Sequence, residues 1–99
     1  MSNNTTGPEF WHRANALINI ANAQCDAAHP NEVGASTMFA SARFNAFIVA
    51  KTTGSAQNMA LEKEHVMAYL TDQYRKMLED NLDDFARNYE RYMAGDQQR

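Results

Sequence analysis

Two Glu-x-x-His pairs are the residues of this chain whose types and spacing come closest to a metal site. Glu9 with His12 and Glu62 with His65 each place a carboxylate and an imidazole one helical turn apart, the spacing that di-iron carboxylate bundles use. On a helical wheel, however, His12 and His65 lie about 160° and about 180° from the apolar stripes of their helices. Ligands of a bundle core point inward, and the predicted second helix supplies no further carboxylate. The sequence therefore predicts no metal site and no cofactor.

A thiol and an imidazole, on Cys25 and His29, also lie about one helical turn apart. Such a pair could form a thiolate nucleophile with its base, but no third orienting group or oxyanion hole accompanies it in the sequence. Cys25 falls on the apolar stripe of the first helix, where a free cysteine usually acts as a small buried hydrophobe. The sequence has no glycine-rich phosphate loop and no serine nucleophile elbow. We predict no catalytic residue, and the interpretation leans towards a protein that is not an enzyme.

Arg43 is the polar residue with the strongest indication of a special role. Phe39 and Phe47 lie four residues on either side of it, so the three side chains share one helical face. A guanidinium in that position stacks on aromatic rings and still reaches a carboxylate. The structural interpretation is a buried Arg43 paired with Asp80 or Asp84 of the third helix. The functional interpretation is an anion-binding arginine in a pocket.

The helix that carries Arg43 is apolar on every side. Residues 36–50 read STMFASARFNAFIVA, and a helix without a polar face is normally buried by its neighbours on all sides. Arg43 and Asn45 in its middle then need specific partners, because unpaired polar groups in a core are costly. Asn45 is expected to set the register of the core. Arg43 and Asn45 together form the candidate site of the alternative function, a small-molecule or anion binder or a minor enzyme.

Three helices account for most of the chain, so the predicted fold class is all-α. Thr6 and Glu9 match the capping-box pattern at the start of the first helix, and Asn58 is the expected N-cap of the third. The predicted helices run from about Pro8 to Ala28, from Gly34 or Ser36 to about Lys51 with a stop at Thr53-Gly54, and from Met59 to Met93. They form one three-helix domain over residues 8–93, with flexible segments at residues 1–7 and 94–99.

The third helical segment is longer than a domain of this size needs. It contains neither glycine nor proline, and at 1.5 Å per residue it would be about 50 Å long, against a diameter of roughly 34 Å for a compact chain of this length. Either the helix breaks near Asn81, or a second copy of the protein covers the overhanging apolar seam. The second alternative predicts a homodimer, with further protein partners possible, whose interface contains Leu82, Phe85, Tyr89 and Tyr92.

Three sequence elements are similar to a known family. Phe10-Trp11 opens the first helix, residues 42–47 read ARFNAF in the second, and YRKML and NLD stand at residues 74–78 and 81–83 in the third. These elements, from about Phe10 to Tyr92, resemble the small proteobacterial proteins grouped as domain of unknown function 3144. The resemblance implies a short, all-helical, cytosolic bacterial protein, and it carries over no catalytic residue.

Composition narrows the classes of partner. The 99-residue chain has 9 basic and 12 acidic residues and a formal net charge of −3, without the basic cluster that nucleic-acid binding requires. No segment approaches the ~20 apolar residues of a membrane span or resembles a secretory signal. Cys25 is the only cysteine, which fits a reducing compartment. We expect a cytoplasmic protein, bound to neither membrane nor nucleic acid, that acts as a non-enzymatic self-associating or protein-binding module.

Overall fold

A computed structural model describes residues 7–94, and over these residues the chain is helical with no strand. The all-α prediction is confirmed. Three long helices and a short one follow one another: α1 (Pro8–Gln24), α2 (Pro30–Thr53), α3 (Ala56–Arg87) and α4 (Tyr89–Ala94). The chain divides into two compact units, Met1–Phe44 and Asn45–Arg99. The single domain predicted for residues 8–93 stays a prediction, and its terminal segments, residues 1–7 and 94–99, lie almost wholly outside the described residues.

Helix α1 begins after Gly7 and ends four residues before the predicted end. Gly7 is the N-cap, with extended backbone and no side-chain capping bond, and Pro8 follows in the first turn, where its missing N–H costs nothing. Thr6, the predicted N-cap, lies outside the described residues. The amides of residues 25–27 donate to carbonyls three residues back, at 3.1, 3.2 and 3.0 Å. This tighter 3₁₀ pattern ends α1 at Gln24 instead of Ala28.

Helix α2 begins at Pro30, earlier than the predicted start at Gly34 or Ser36. His29 provides the cap, because its Nδ1 accepts a hydrogen bond from the backbone N–H of Asn31 at 3.0 Å. Proline is well suited to a first helical position, where its fixed φ is already helical. Pro30 therefore starts a helix, although it lies between the predicted end of the first helix at Ala28 and the predicted start of the second at Gly34 or Ser36. The predicted stop at Thr53-Gly54 is confirmed, with Gly54 in the left-handed region at φ 83°.

The prediction that α2 is buried on all sides is wrong. Among the described residues Val33 is the one buried side chain, at 6% exposure. Four large apolar side chains along the same helix are more than half exposed: Met38, Phe39, Phe44 and Phe47. An all-apolar surface on α2 is thus left without intramolecular cover.

Helix α3 is capped by Ser55, three residues before the predicted N-cap. The Ser55 hydroxyl accepts from the Asn58 backbone N–H at 3.0 Å, so Asn58 lies inside the first turn, and its side-chain amide donates to the Thr53 carbonyl at 2.9 Å. The helix then continues without interruption through Asn81, whose side-chain amide donates to the Met77 carbonyl of the same helix at 2.7 Å. A break near Asn81 is therefore wrong. The predicted end at Met93 is also wrong: α3 ends six residues earlier, at Arg87, because Asn88 interrupts the helix.

Candidate functional site

An exposed apolar stripe runs along the C-terminal half of α3 and into α4. Its members, which we call the C-terminal stripe, are Leu78, Leu82, Phe85 and Tyr89, and they are 43%, 61%, 45% and 59% exposed. Steps of four and three residues keep Leu78, Leu82 and Phe85 on one side of α3, and Tyr89 follows four residues later as the first residue of α4. Leu82, Phe85 and Tyr89 are three of the four residues that the sequence predicted for an interface.

The C-terminal stripe faces a different direction from the apolar residues near the start of α3. Met59, Val66 and Leu70 are half-buried. At 100° per residue their mean direction lies about 110° around the helix from that of the C-terminal stripe. The half-buried apolar residues of the N-terminal half of α3 and the exposed residues of the C-terminal stripe therefore lie on different sides of the helix.

Asn88 forms the corner at which α3 passes into α4. Its backbone leaves the helical region, at φ −116° and ψ 31°, although its N–H still donates to the Asp84 carbonyl at 3.0 Å. The Asn88 side-chain amide donates both to that carbonyl, at 3.2 Å, and to Asp84 Oδ1, at 2.9 Å. Asparagine side chains that bond to nearby backbone compete with regular helix, which explains why the helix is interrupted here.

Tyr92 closes the corner from the side of α4. Its hydroxyl donates to Asp84 Oδ2 at 2.6 Å, and its ring lies against that of Phe85 with centroids 4.4 Å apart. In a straight helix, residues seven apart are separated by about 10.5 Å along the axis, so the close ring contact depends on the corner. We call Asp84, Asn88 and Tyr92 the clasp. It ties α4 to α3 beside the C-terminal stripe.

The clasp shifts the acidity of both of its titratable groups. The Tyr92 hydroxyl bond holds the pKa of the Asp84 carboxyl below its usual value, with further help from Asn88 and from the nearby charges of Arg87 and Arg91. The same bond raises the pKa of the Tyr92 phenol, because the charged carboxylate favours the protonated hydroxyl. The arrangement is thus most favourable with Asp84 ionised and Tyr92 neutral.

The ion pairs of α3 lie upstream of the clasp. Arg75 bonds to Asp72 at 3.4 Å and to Glu79 at 3.2 Å, and Lys76 bonds to Asp72 at 3.2 Å. A hydrogen bond from Lys76 is the main reason that the pKa of Asp72 is lowered. All of these side chains are well exposed, so each pair contributes little beyond local support for the helix.

Arg43 is exposed, so the prediction that it is buried between aromatic rings is wrong. The physical reason is the missing cover on α2: Phe39 and Phe47 are 67% and 58% exposed and form no closed core around it. Of its two predicted partners, Asp84 is held by the clasp. An ion pair from Arg43 would join the two units and stays a prediction. Asn45, the second residue of that candidate site, is half-buried.

The other candidate chemical groups are not brought into a common site. The residues of both Glu-x-x-His pairs are exposed, and within residues 7–94 no three His, Cys, Asp or Glu side chains are grouped as metal ligands. Cys25 is half-buried at the end of α1, and the Nδ1 of His29 is engaged in capping α2. None of the described helices is both long and apolar enough to cross a bilayer.

Sequence reasoning missed the clasp. The sequence pattern predicts Asp84 as a partner of Arg43, and it predicts Tyr92 as a member of an apolar interface. The available signal was Asn88, because asparagine is unfavourable inside a helix and favourable at helix ends.

Comparison with known proteins gives a family and a fold, without an activity. A family model described as a protein of unknown function (DUF3144) matches residues 10–86. The solved NMR structure of the protein NB7890A from Shewanella sp. is 34% identical, with a TM-score of 0.72 over 91% of this chain and 96% of that one. No curated protein matches the chain.

Proposed function

This chain belongs to the DUF3144 family, and we propose that it is a non-enzymatic cytoplasmic module whose function is self-association through the C-terminal stripe. A second copy of the chain covers Leu78, Leu82, Phe85 and Tyr89. The observation that carries the proposal is an exposed apolar stripe on a helix that continues unbroken past Asn81. The alternative fold, in which the segment after Asn81 turns back and buries these residues against its own chain, is not adopted.

The exposed area supports association. About half of each of four large side chains is exposed, and since such side chains have ~150–250 Å² each, the C-terminal stripe offers roughly 400 Å² of apolar surface. A patch of this size is comparable to the largest one on a typical monomer, and such patches are often functional. Tyr74, at 51% exposure, lies about 50° around α3 from the centre of the stripe and extends this surface. The extended surface is smaller than the ~800 Å² per partner of a standard interface and has the size that weaker, transient interfaces bury.

The composition of the surface also fits a protein partner. Tyrosine, phenylalanine and methionine are enriched at interfaces, where large side chains bury area at low entropic cost. Burying one large apolar side chain contributes about 1.5–3 kcal/mol. Several such side chains on each copy are enough to exceed the entropic cost of association.

The test is the molecular mass of the chain in solution at micromolar concentration. The double variant Phe85→Asp plus Tyr89→Asp places two charges on the C-terminal stripe and is expected to convert a dimer to a monomer while the helical circular dichroism is retained. Leu61→Asp is the matched control, because Leu61 lies on α3 at 74% exposure and away from the stripe. A wild-type chain that stays monomeric throughout the micromolar range, or a control that dissociates as readily as the double variant, refutes the proposal.

A second candidate function uses Arg43. Its guanidinium is exposed and forms no ion pair with the described residues of its own unit, so it is free to bind an anionic ligand or an acidic partner. Calorimetric titration of the chain with inorganic phosphate tests this candidate, with Arg43→Gln as the variant and Arg13→Gln as an exposed control. Equal heats for wild type and Arg43→Gln would remove it.

A further inference from the structure

We infer that Asp84 is a positioning residue for self-association: through Tyr92 and Asn88 it fixes the direction in which α4 presents the end of the C-terminal stripe. This inference rests on the proposed function. Asp84 lies about 130° around α3 from the centre of the stripe, so its side chain is not itself a member of the apolar surface. Its influence must pass through the residues that it holds.

The stripe crosses the corner that Asp84 holds. Leu82 and Phe85 belong to α3, whereas Tyr89 is the first residue of α4, directly after Asn88. The direction of Tyr89 relative to Phe85 is therefore set by the bend, not by a continuous helix. A partner that packs against all members of the stripe requires one fixed bend.

Helix α4 is too short to fix that bend by itself. The helix has six residues, and isolated helices shorter than about 12–15 residues are marginal in water. Its order must come from contacts with α3, and the described contacts are the Tyr92 hydroxyl on Asp84 Oδ2 and the Tyr92 ring on Phe85. Phe85 thus belongs both to the stripe and to the contact that the clasp holds in place.

Both carboxylate oxygens of Asp84 are engaged. Oδ2 accepts from the Tyr92 hydroxyl at 2.6 Å and Oδ1 accepts from the Asn88 amide at 2.9 Å. A side-chain amide has the same shape but offers one acceptor oxygen and one donor group. The isosteric change Asp84→Asn therefore keeps the volume and removes the carboxylate charge, so that the Tyr92 hydroxyl loses its charged acceptor and keeps at most a weaker bond between neutral groups. Surfaces that are fixed before binding associate more tightly, because less motion is lost on binding.

The test compares two clasp variants with two matched controls. Asp84→Asn replaces the charged acceptor by a neutral amide, and Tyr92→Phe removes the hydroxyl but keeps the ring. Asp83→Asn makes the same charge change on the neighbouring exposed residue, and Tyr69→Phe makes the same hydroxyl deletion on α3 at 52% exposure. Sedimentation equilibrium gives the dimer dissociation constant of each, and the nuclear Overhauser effect between the rings of Phe85 and Tyr92 reports the clasp directly.

We expect both clasp variants to raise the dissociation constant about tenfold and to weaken the ring-to-ring Overhauser effect, with helical circular dichroism unchanged. Both controls should stay within about twofold of wild type. Clasp variants that dimerise like wild type overturn the inference and leave the proposed function intact. A weakening by Asp83→Asn equal to that by Asp84→Asn also overturns it, since net charge would then be the cause. A monomeric wild-type chain refutes the proposed function and this inference with it.

Discussion

Truncation of Leu82 should weaken self-association strongly and leave the helices intact. Leu82 is 61% exposed in the chain, and full burial of a leucine side chain contributes about 1.5–3 kcal/mol. The part still to be buried is therefore worth about 1–2 kcal/mol per chain. In a two-fold dimer the residue occurs twice, so Leu82→Ala should cost about 2–4 kcal/mol, which is roughly a 30- to 900-fold rise in the dissociation constant.

The matched control for this change is Leu61→Ala. Leu61 lies on the same helix, is 74% exposed and points about 90° away from the C-terminal stripe. Alanine is the best helix former, so neither change should lower helicity. Sedimentation equilibrium over a wide range of concentration gives both dissociation constants. A Leu82→Ala chain that dimerises like wild type, or a Leu61→Ala chain that is weakened as much, would show that the stripe is not the interface.

Three further predictions concern the ends of the helices and the clasp. Ser55→Ala removes the hydroxyl that caps Asn58 and should lower the free energy of unfolding by about 1 kcal/mol in thermal denaturation, whereas Ser55→Asp should not. Gly54→Ala should also destabilise, by about 1–2 kcal/mol, because φ is 83° there although no atom blocks a new Cβ. The Tyr92–Asp84 bond should be at full strength between pH 3.8 and pH 10.0, the ordinary values of the two groups, and should be lost as the pH falls through the lowered pKa of Asp84 or rises through the raised pKa of Tyr92. Ring-proton shifts of Tyr92 measured against pH check this, and steps inside that range would contradict it.

Helix content could be predicted from the sequence, because it depends on the pattern of residues along each segment. The segment without glycine or proline predicted a long third helix but left a break near Asn81 open, and Thr53-Gly54 predicted the end of α2. The sequence did not predict where α1 ends and α2 begins between residues 24 and 34, because Pro30 can end one helix or begin the next. In the structure Pro30 begins α2, and the imidazole of His29 caps that helix. A histidine cap is rarer than one formed by serine or aspartate.

Burial of side chains was harder to predict from the sequence than helicity, because it depends on where the neighbouring helices lie. Residues 36–50 of α2, with Arg43 near their centre, have the pattern of a core helix, yet the helix is largely exposed and so is Arg43. Hydrophobic pattern shows that a surface avoids water, but it does not distinguish cover by the same chain from cover by another. The hydrophobic pattern therefore identified Leu82 and Phe85 as apolar positions. It did not identify the clasp beside them, because the clasp is formed by polar groups.

The scarcity of buried side chains ties the stability of this chain to its association. Neither α1 nor α3 contains a buried residue, and α2 contains Val33 alone, over the part of the chain that the structure describes. Ordering each residue costs about 1–2 kcal/mol of backbone entropy, and burial of apolar surface is the main stabilising effect that offsets this cost. Helices with so little burial of their own gain stability when a partner covers them, because a partner that binds only the folded chain shifts the folding equilibrium further as its concentration rises. On the proposed function, self-association therefore adds to the stability of a chain that is already helical, and the C-terminal stripe is the apolar surface that a second chain covers.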